Sequence, residues 1–404
     1  MVGKGIQIGR LFGIKVNVDW SWVFIFLLVS WNLTSAFSGI HPDWSMGLAI
    51  AVAVVAAILF FLSVLAHELA HSLAAIAQGL PVRSITLFLF GGVSNIEREP
   101  PSPRVEFVMA IVGPLTSIVL GALFLALGAI GVASLGDALS DPADAMAQLG
   151  PLSTLLLWLG PINLVLGIFN MVPGFPLDGG RILRSLLWAA TDSLRTATRW
   201  ASWAGQGIAW LLIVMGVAMI FGAEIPFFGT GLVSGLWLAF IGWFLNSAAQ
   251  QSYRQVVIQD LLEDVPVANL MRRDPPIVSP DATLSTLVHE RLMGSDEHAF
   301  PAVDAEGRLV GIVCLHDVRK IDKSRWDEVR VAEVMTPRAE LTTVVPEEDA
   351  GEALNQLQRQ GVRQLPVVAA DADDSLVGLL RRRDILRWLQ IQGDEQPALA
   401  GRAN

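Results

Sequence analysis

The stretch that decides how this chain reads is FLSVLAHELAHSL, residues 61–73. It follows a run from Met46 to Ala66 without one charged residue, then places His67, Glu68 and His71 within five positions. Ionisable side chains at membrane depth are costly and mark function. A lone histidine in a helix is most often a hydrogen-bonded packing residue. Two histidines four apart share one helical face, and His-Glu-x-x-His is the spacing with which a helix binds zinc and presents a base. By average residue usage, a chance occurrence in a chain this long is about a 1% event. We read His67 and His71 as metal ligands on a membrane helix.

The composition supports that depth. The chain has 404 residues, 53% hydrophobic and only 16% charged. The long apolar runs lie before residue 250, and the remainder reads as an ordinary soluble α/β segment. The net charge of −10 comes largely from that second part and argues against nucleic acid as a partner. The single cysteine, Cys314, leaves no intramolecular disulfide and no cysteine zinc site. The N-terminus has no short cleavable apolar region, so the run beginning near Val18 is expected to be a retained span. A bilayer core of about 30 Å needs roughly 20 apolar residues per helix. Six candidates meet this: 18–38, 46–78, 106–134, 152–172, 201–222 and 227–248. The second is too long for one simple span, so its end must bend, tilt or leave the membrane. Lys4, Arg10 and Lys15, then Arg83, Arg98 and Arg104, then Arg181, Arg184, Arg195 and Arg199, and finally Arg254 fall on alternate connections. The others carry no lysine or arginine, so a cell-membrane protein with both termini cytoplasmic is expected.

A catalytic zinc takes three protein ligands and keeps one position open. Of the other histidines, His41 is on the outer side and His289, His298 and His316 are in the soluble part. The third ligand should therefore be a cytoplasmic-side carboxylate: Glu97, Glu99, Glu106, Asp178 or Asp192. Asp178 sits in NMVPGFPLDGGRIL, where Pro173, Pro176 and the Gly179-Gly180 pair are expected to interrupt helix at the end of span four. Irregular backbone at membrane depth occurs where it lines a cavity. The alternative is that Asp178 only N-caps a short helix, 180–190; matched depth with the histidines favours the ligand.

The chain resembles the site-2 proteases, intramembrane zinc metalloproteases, in HELAH (67–71), FLFGGVSNI (88–96), AIVGP (110–114) and NMVPGFPLDGG (170–180). The resemblance covers roughly residues 5 to 250. It implies one zinc per chain held by His67, His71 and Asp178, with Glu68 as catalytic base. Asn170 matches a position that helps hold substrate or the oxyanion. Zinc lowers the pKa of bound water and polarises the scissile carbonyl; Glu68 takes the water's proton and passes it to the departing amine. Residues 82–96 read as one or two strands, either a hairpin ending span two or a sheet edge that captures unwound substrate; the resemblance favours the second. Gly113, Gly121 and Gly128 are expected to serve close helix packing. Substrates implied by the family are single-span membrane proteins such as anti-sigma factors.

Residues 260–392 contain an internal repeat, VANLMRRDPPIV…VGIVCLHDV and VAEVMTPRAELT…VGLLRRRDI. It resembles a tandem CBS pair, in which an adenine nucleotide sits in a cleft and an aspartate opening the closing helix binds the ribose. The matching residues are Asp317 and Asp384. The usual hydroxyl three positions earlier is replaced by Cys314 and Arg381, which counts against nucleotide and leaves a dimerising module as the alternative. The expected architecture is a polytopic α-helical membrane domain (1–250) with a short membrane-associated β segment. A linker (251–259), a cytosolic α/β CBS pair (260–322 and 329–392) and a tail (393–404) follow. The expected function is intramembrane zinc endopeptidase. The rivals are a CBS-regulated transporter or channel, which would spread charges along several spans, and an inactive protease-like scaffold, against which the intact Glu68 argues.

Overall fold

The computed structural model describes residues 5–96, 98–133, 146–226, 228–293, 297–370 and 374–394. Two compact units divide at Arg254/Gln255. In the first, six helices of 20 to 32 residues are long and apolar enough to cross a membrane. They are α1 (Trp20–Ile40), α2 (Met46–Ala77), α3 (Pro103–Ala133), α4 (Pro151–Asn170), α6 (Leu194–Ile220) and α7 (Leu232–Leu262), with the shorter α5 (Asp178–Thr191) after α4. Their starts follow local chemistry. Asp19 caps α1 by accepting from the Ser21 amide at 2.9 Å, Ser45 caps α2, and Ser193 caps α6. Pro151 opens α4 at a position whose amide has no intrahelical partner.

At about 1.5 Å per residue, the 32 residues of α2 span about 48 Å, more than the bilayer core. The helix continues unbroken to Ala77. Its small residues Ala53 and Ala56 pack with Leu33 and Phe37 of α1 and with Leu155 and Leu159 of α4. Between α3 and α4 the backbones approach closely. A Cβ on Gly121 would lie 2.9 Å from the Gly160 carbonyl oxygen, and one on Gly167 2.8 Å from that of Pro114. The packing expected of Gly121 and Gly128 is present; Gly113 serves a different purpose.

The β segment is larger than the sequence suggested. Strands β1 (Ile6–Leu11), β2 (Ile14–Val18), β3 (Val82–Phe88) and β4 (Gly91–Ile96) form one sheet in that order. β2 pairs parallel with β3, Val16 opposite Ile85; the other pairs are antiparallel. Ile14, Val16 and Ile85 pack on Leu65 of α2, two residues before His67.

In the second unit, β5 (Ala299–Val303), β6 (Leu309–Cys314) and β7 (Thr336–Pro337) form one sheet, and β8 (Gln364–Val368) and β9 (Leu376–Arg381) another. The repeats exchange their leading segments. Gly311 of the first pairs with Pro337 of the second, and Arg272 of the first pairs with Leu379 of the second. Residues 251–259, read from sequence as a linker, lie within α7, and tail residues 395–404 lie outside the described residues.

Candidate metal centre

His67 and His71, four apart on α2, are each only 4% exposed. Their Nε2 atoms lie 3.2 Å apart, and Asp178 Oδ2 lies 3.0 Å from one and 3.1 Å from the other. Among the described residues this is the group of histidine and carboxylate side chains arranged to share a metal ion. The outer nitrogens are fixed by α3. His71 Nδ1 is 2.6 Å from the Met109 carbonyl oxygen, which can only accept, so Nδ1 carries the hydrogen and Nε2 turns a lone pair inward. His67 Nδ1 is 2.9 Å from Ser117 Oγ. Outer partners of this kind set tautomer and orientation in histidine metal sites.

The donor set fits zinc. The inward lone pair of His71 and the Asp178 carboxylate oxygen, 3.1 Å apart, repel one another unless a cation or a shared proton lies between them. Ligands about 2.0–2.1 Å from a tetrahedral zinc sit about 3.3–3.4 Å from one another; the separations here are 3.0–3.2 Å.

Gly113 makes the room. A Cβ there would lie 2.8 Å from His67 Nε2 and closer still to the His71 ring. Its expected role in helix–helix packing is therefore corrected: it faces the imidazoles. The LDGG stretch is corrected too. Gly179 and Gly180 do not interrupt helix; they occupy the first turn of α5, where a Cβ would strike the backbone of the preceding turn. That turn, Met171 to Leu177, folds back on the helix it precedes, and only glycine fits beneath it. Asp178 is not an N-cap either. Leu177 holds that position, and Asp178 is the first helical residue, its side chain directed to the histidines.

Glu68 points off this group. Its Oε2 accepts from Ser94 Oγ of β4 at 2.8 Å, so the sheet holds the carboxylate beside the histidines. Asn170 ends α4 and its Nδ2 donates to the Leu166 carbonyl at 2.9 Å. Of the other carboxylates considered, Glu106 is ion-paired with Arg184, Glu99 lies 3.4 Å from Arg184 Nη2, and Asp192 ends α5. Glu97 lies outside the described residues. Met109, Ser117, Ser94 and Arg184 were not legible as site residues, because each meets its partner across more than 20 residues of chain.

A family model for peptidase family M50 matches residues 55–215, which contain the whole cluster. The Rip3 protein of Mycobacterium tuberculosis, which carries a zinc-metalloprotease name, is 33% identical over 393 residues, 97% of this chain and 94% of its own. The chain belongs to peptidase family M50. The sll0528 protein of Synechocystis sp. also bears a zinc-metalloprotease name and is 33% identical, covering 96% of both chains. Among solved structures, the site-2 protease from Methanocaldococcus jannaschii is 25% identical and covers 62% of this chain and 95% of that one, with a TM-score of 0.40. The CBS domain model matches residues 267–324 and 331–391, so this M50 peptidase carries a tandem CBS pair.

In that pair, each aspartate matched to ribose binding lies in the first turn of its closing helix rather than at its start, and each is engaged. Asp317 Oδ2 accepts from the Cys314 amide at 3.1 Å and Oδ1 from Lys320 Nζ at 3.0 Å. Asp384 is held through both oxygens by Arg381, at 2.6 and 2.7 Å. Arg381 also pairs with Glu297, 5% exposed, which gathers Arg272 at 2.9 Å and Arg383 at 2.5 Å. A cavity of about 970 Å³ opens here, lined by Glu297, Cys314, Arg319, Arg363 and Arg381 among others; neither aspartate lines it.

Proposed function

We propose that this zinc metalloprotease homologue is an intramembrane endopeptidase that cuts transmembrane segments of membrane proteins. In this reading His67, His71 and Asp178 hold one zinc ion, which when bound supplies Lewis acidity that makes water acidic near neutral pH and polarises a carbonyl. Glu68, held by Ser94, accepts the proton of the attacking water and returns it to the departing amine. Asn170, at the end of α4, contacts substrate or the developing oxyanion once its side chain turns from Leu166. The observation that carries the reading is the convergence of three donors whose outer nitrogens are tied to α3, with Glu68 held just beside them.

Substrate must be unwound, because a transmembrane helix hides its carbonyls in internal hydrogen bonds. The sheet order ends at β4. Its outer edge takes an extended peptide by strand addition, on the strand that carries Ser94. The site opens to the cytoplasm, where both termini lie in the cell membrane topology read from the charges. Substrates are single-span proteins, of which anti-sigma factors are the family example. The CBS pair serves dimer contact.

The test is Glu68→Gln, which keeps shape and cannot accept a proton. Zinc should stay near one per chain while cleavage of a reconstituted single-span substrate falls at least about 10²-fold. Turnover comparable to wild type would refute the mechanism.

A further inference from the structure

Glu106 and Arg184 form an ion pair inside the membrane unit. Glu106, in the first turn of α3, is 0% exposed; Arg184, near the middle of α5, is 5% exposed. Arg184 Nε donates to Glu106 Oε1 at 2.6 Å, and Nη2 contacts the same oxygen. Arg181 Nε stands 3.9 Å from it, and the Arg184 guanidinium lies over the Phe175 ring at 5.3 Å. Glu106 Oε2 is buried without a hydrogen-bond partner. A buried ion pair contributes little net stability, since desolvation offsets the attraction, but a guanidinium fork fixes direction.

What it orients follows from α3. Glu106, Met109, Gly113 and Ser117 are spaced three, four and four apart, so they form one stripe along that helix. Met109 accepts from His71, Gly113 clears space for both rings, and Ser117 contacts His67. Glu106, at the head of the stripe, grips the helix whose first residue is Asp178. The N-cap of α5, Leu177, makes no side-chain capping bond, so the position of Asp178 depends on where α5 is held. One face of α3 thus gauges the separation between the two elements that carry the donors.

We propose that Glu106 and Arg184 are positioning residues that hold Asp178 in contact with His67 and His71, so that breaking the pair loosens the metal; this rests on the ligand assignment above. The experiment measures zinc release to a chelator from the purified full-length protein. Glu106→Gln should speed release by about 10-fold or more, within the range by which outer-shell partners tune metal affinity. The reversed pair, Glu106→Arg with Arg184→Glu, should recover most of the loss. In an Asp178→Asn background, Glu106→Gln should change release less than about twofold, because residues acting through one another are not additive. Where Glu106→Gln does not fold, Arg184→Lys keeps the charge, loses the fork and should speed release severalfold. Unchanged release in the folded variants, or an equal effect with and without Asp178, would overturn the latch alone. Release unaltered by Asp178→Asn itself would overturn the ligand assignment and the latch with it.

Discussion

Gly113→Ala is the smallest change that separates the metal centre from the fold around it. The added methyl would sit 2.8 Å from His67 Nε2 and nearer still to the His71 ring, against an ordinary contact of about 3.5 Å. Neither ring can retreat freely, because Ser117 and the Met109 carbonyl hold their outer nitrogens from the same helix as the methyl. Relief therefore requires the rings to turn away from Asp178 or α3 to slide. Either movement breaks the convergence of the three donors. The fold itself should tolerate the change. Alanine is better than glycine in a helix interior by about 1 kcal/mol, and local overpacking costs about 1–3 kcal/mol, which leaves a net loss of at most about 2 kcal/mol. We expect a melting temperature in detergent close to wild type in the metal-free state, with zinc affinity reduced at least about 10²-fold. Metal analysis after dialysis against a buffered zinc series measures it. A Gly113→Ala protein that binds zinc as tightly as wild type would refute the packing argument and the site built on it.

Three further outcomes follow from named contacts. Ser94→Ala removes the donor to Glu68 and should lower cleavage about 10-fold at unchanged zinc content, read by single-turnover assay; unchanged cleavage would free the β4 contact of any role. Wild-type protein should show no micromolar binding of AMP or ATP by calorimetry, because Arg381 occupies both oxygens of Asp384, whereas Arg381→Thr should create it; micromolar binding to wild type would contradict this. Burial, and then the charge of Asp317, push the Cys314 thiol above its ordinary range. The thiolate is the reacting form, so alkylation of this single cysteine should be slow at neutral pH and rise with pH to a midpoint above that of a free thiol; a midpoint at or below it would be the wrong sign.

The six spans and the His-Glu-x-x-His helix were legible because apolar length and four-residue spacing are local properties. The carboxylate opposite the histidines was legible from its Pro- and Gly-rich context, its matched depth and the family motif, among five candidates, and the structure brings Asp178 to them. What could not be read was contact across the chain. Strands β1 and β2 look like a charged lead-in, because β2 finds its parallel partner only beyond two membrane helices. Gly113 looks like any small residue in an apolar helix, and only the neighbouring imidazoles give it a purpose. The Gly179-Gly180 pair suggested a break in helix, whereas folding of Met171 to Leu177 over the first turn of α5 makes both glycines helical. In the tail, the repeat was plain, but its aspartates were already taken by Arg381 and by the Cys314 amide.

The exchange of leading segments between the repeats sets the order in which the newly made chain can finish. Strand β6 has its second neighbour only when Thr336 and Pro337 have left the ribosome. Arg272, made long before, must wait for Leu379. The β6 edge can therefore close early in synthesis of the second repeat, whereas the Arg272 edge stays open until Leu379 has been made. By then all six apolar helices have been made, so the unit that carries the histidines can assemble while the paired repeats are still incomplete.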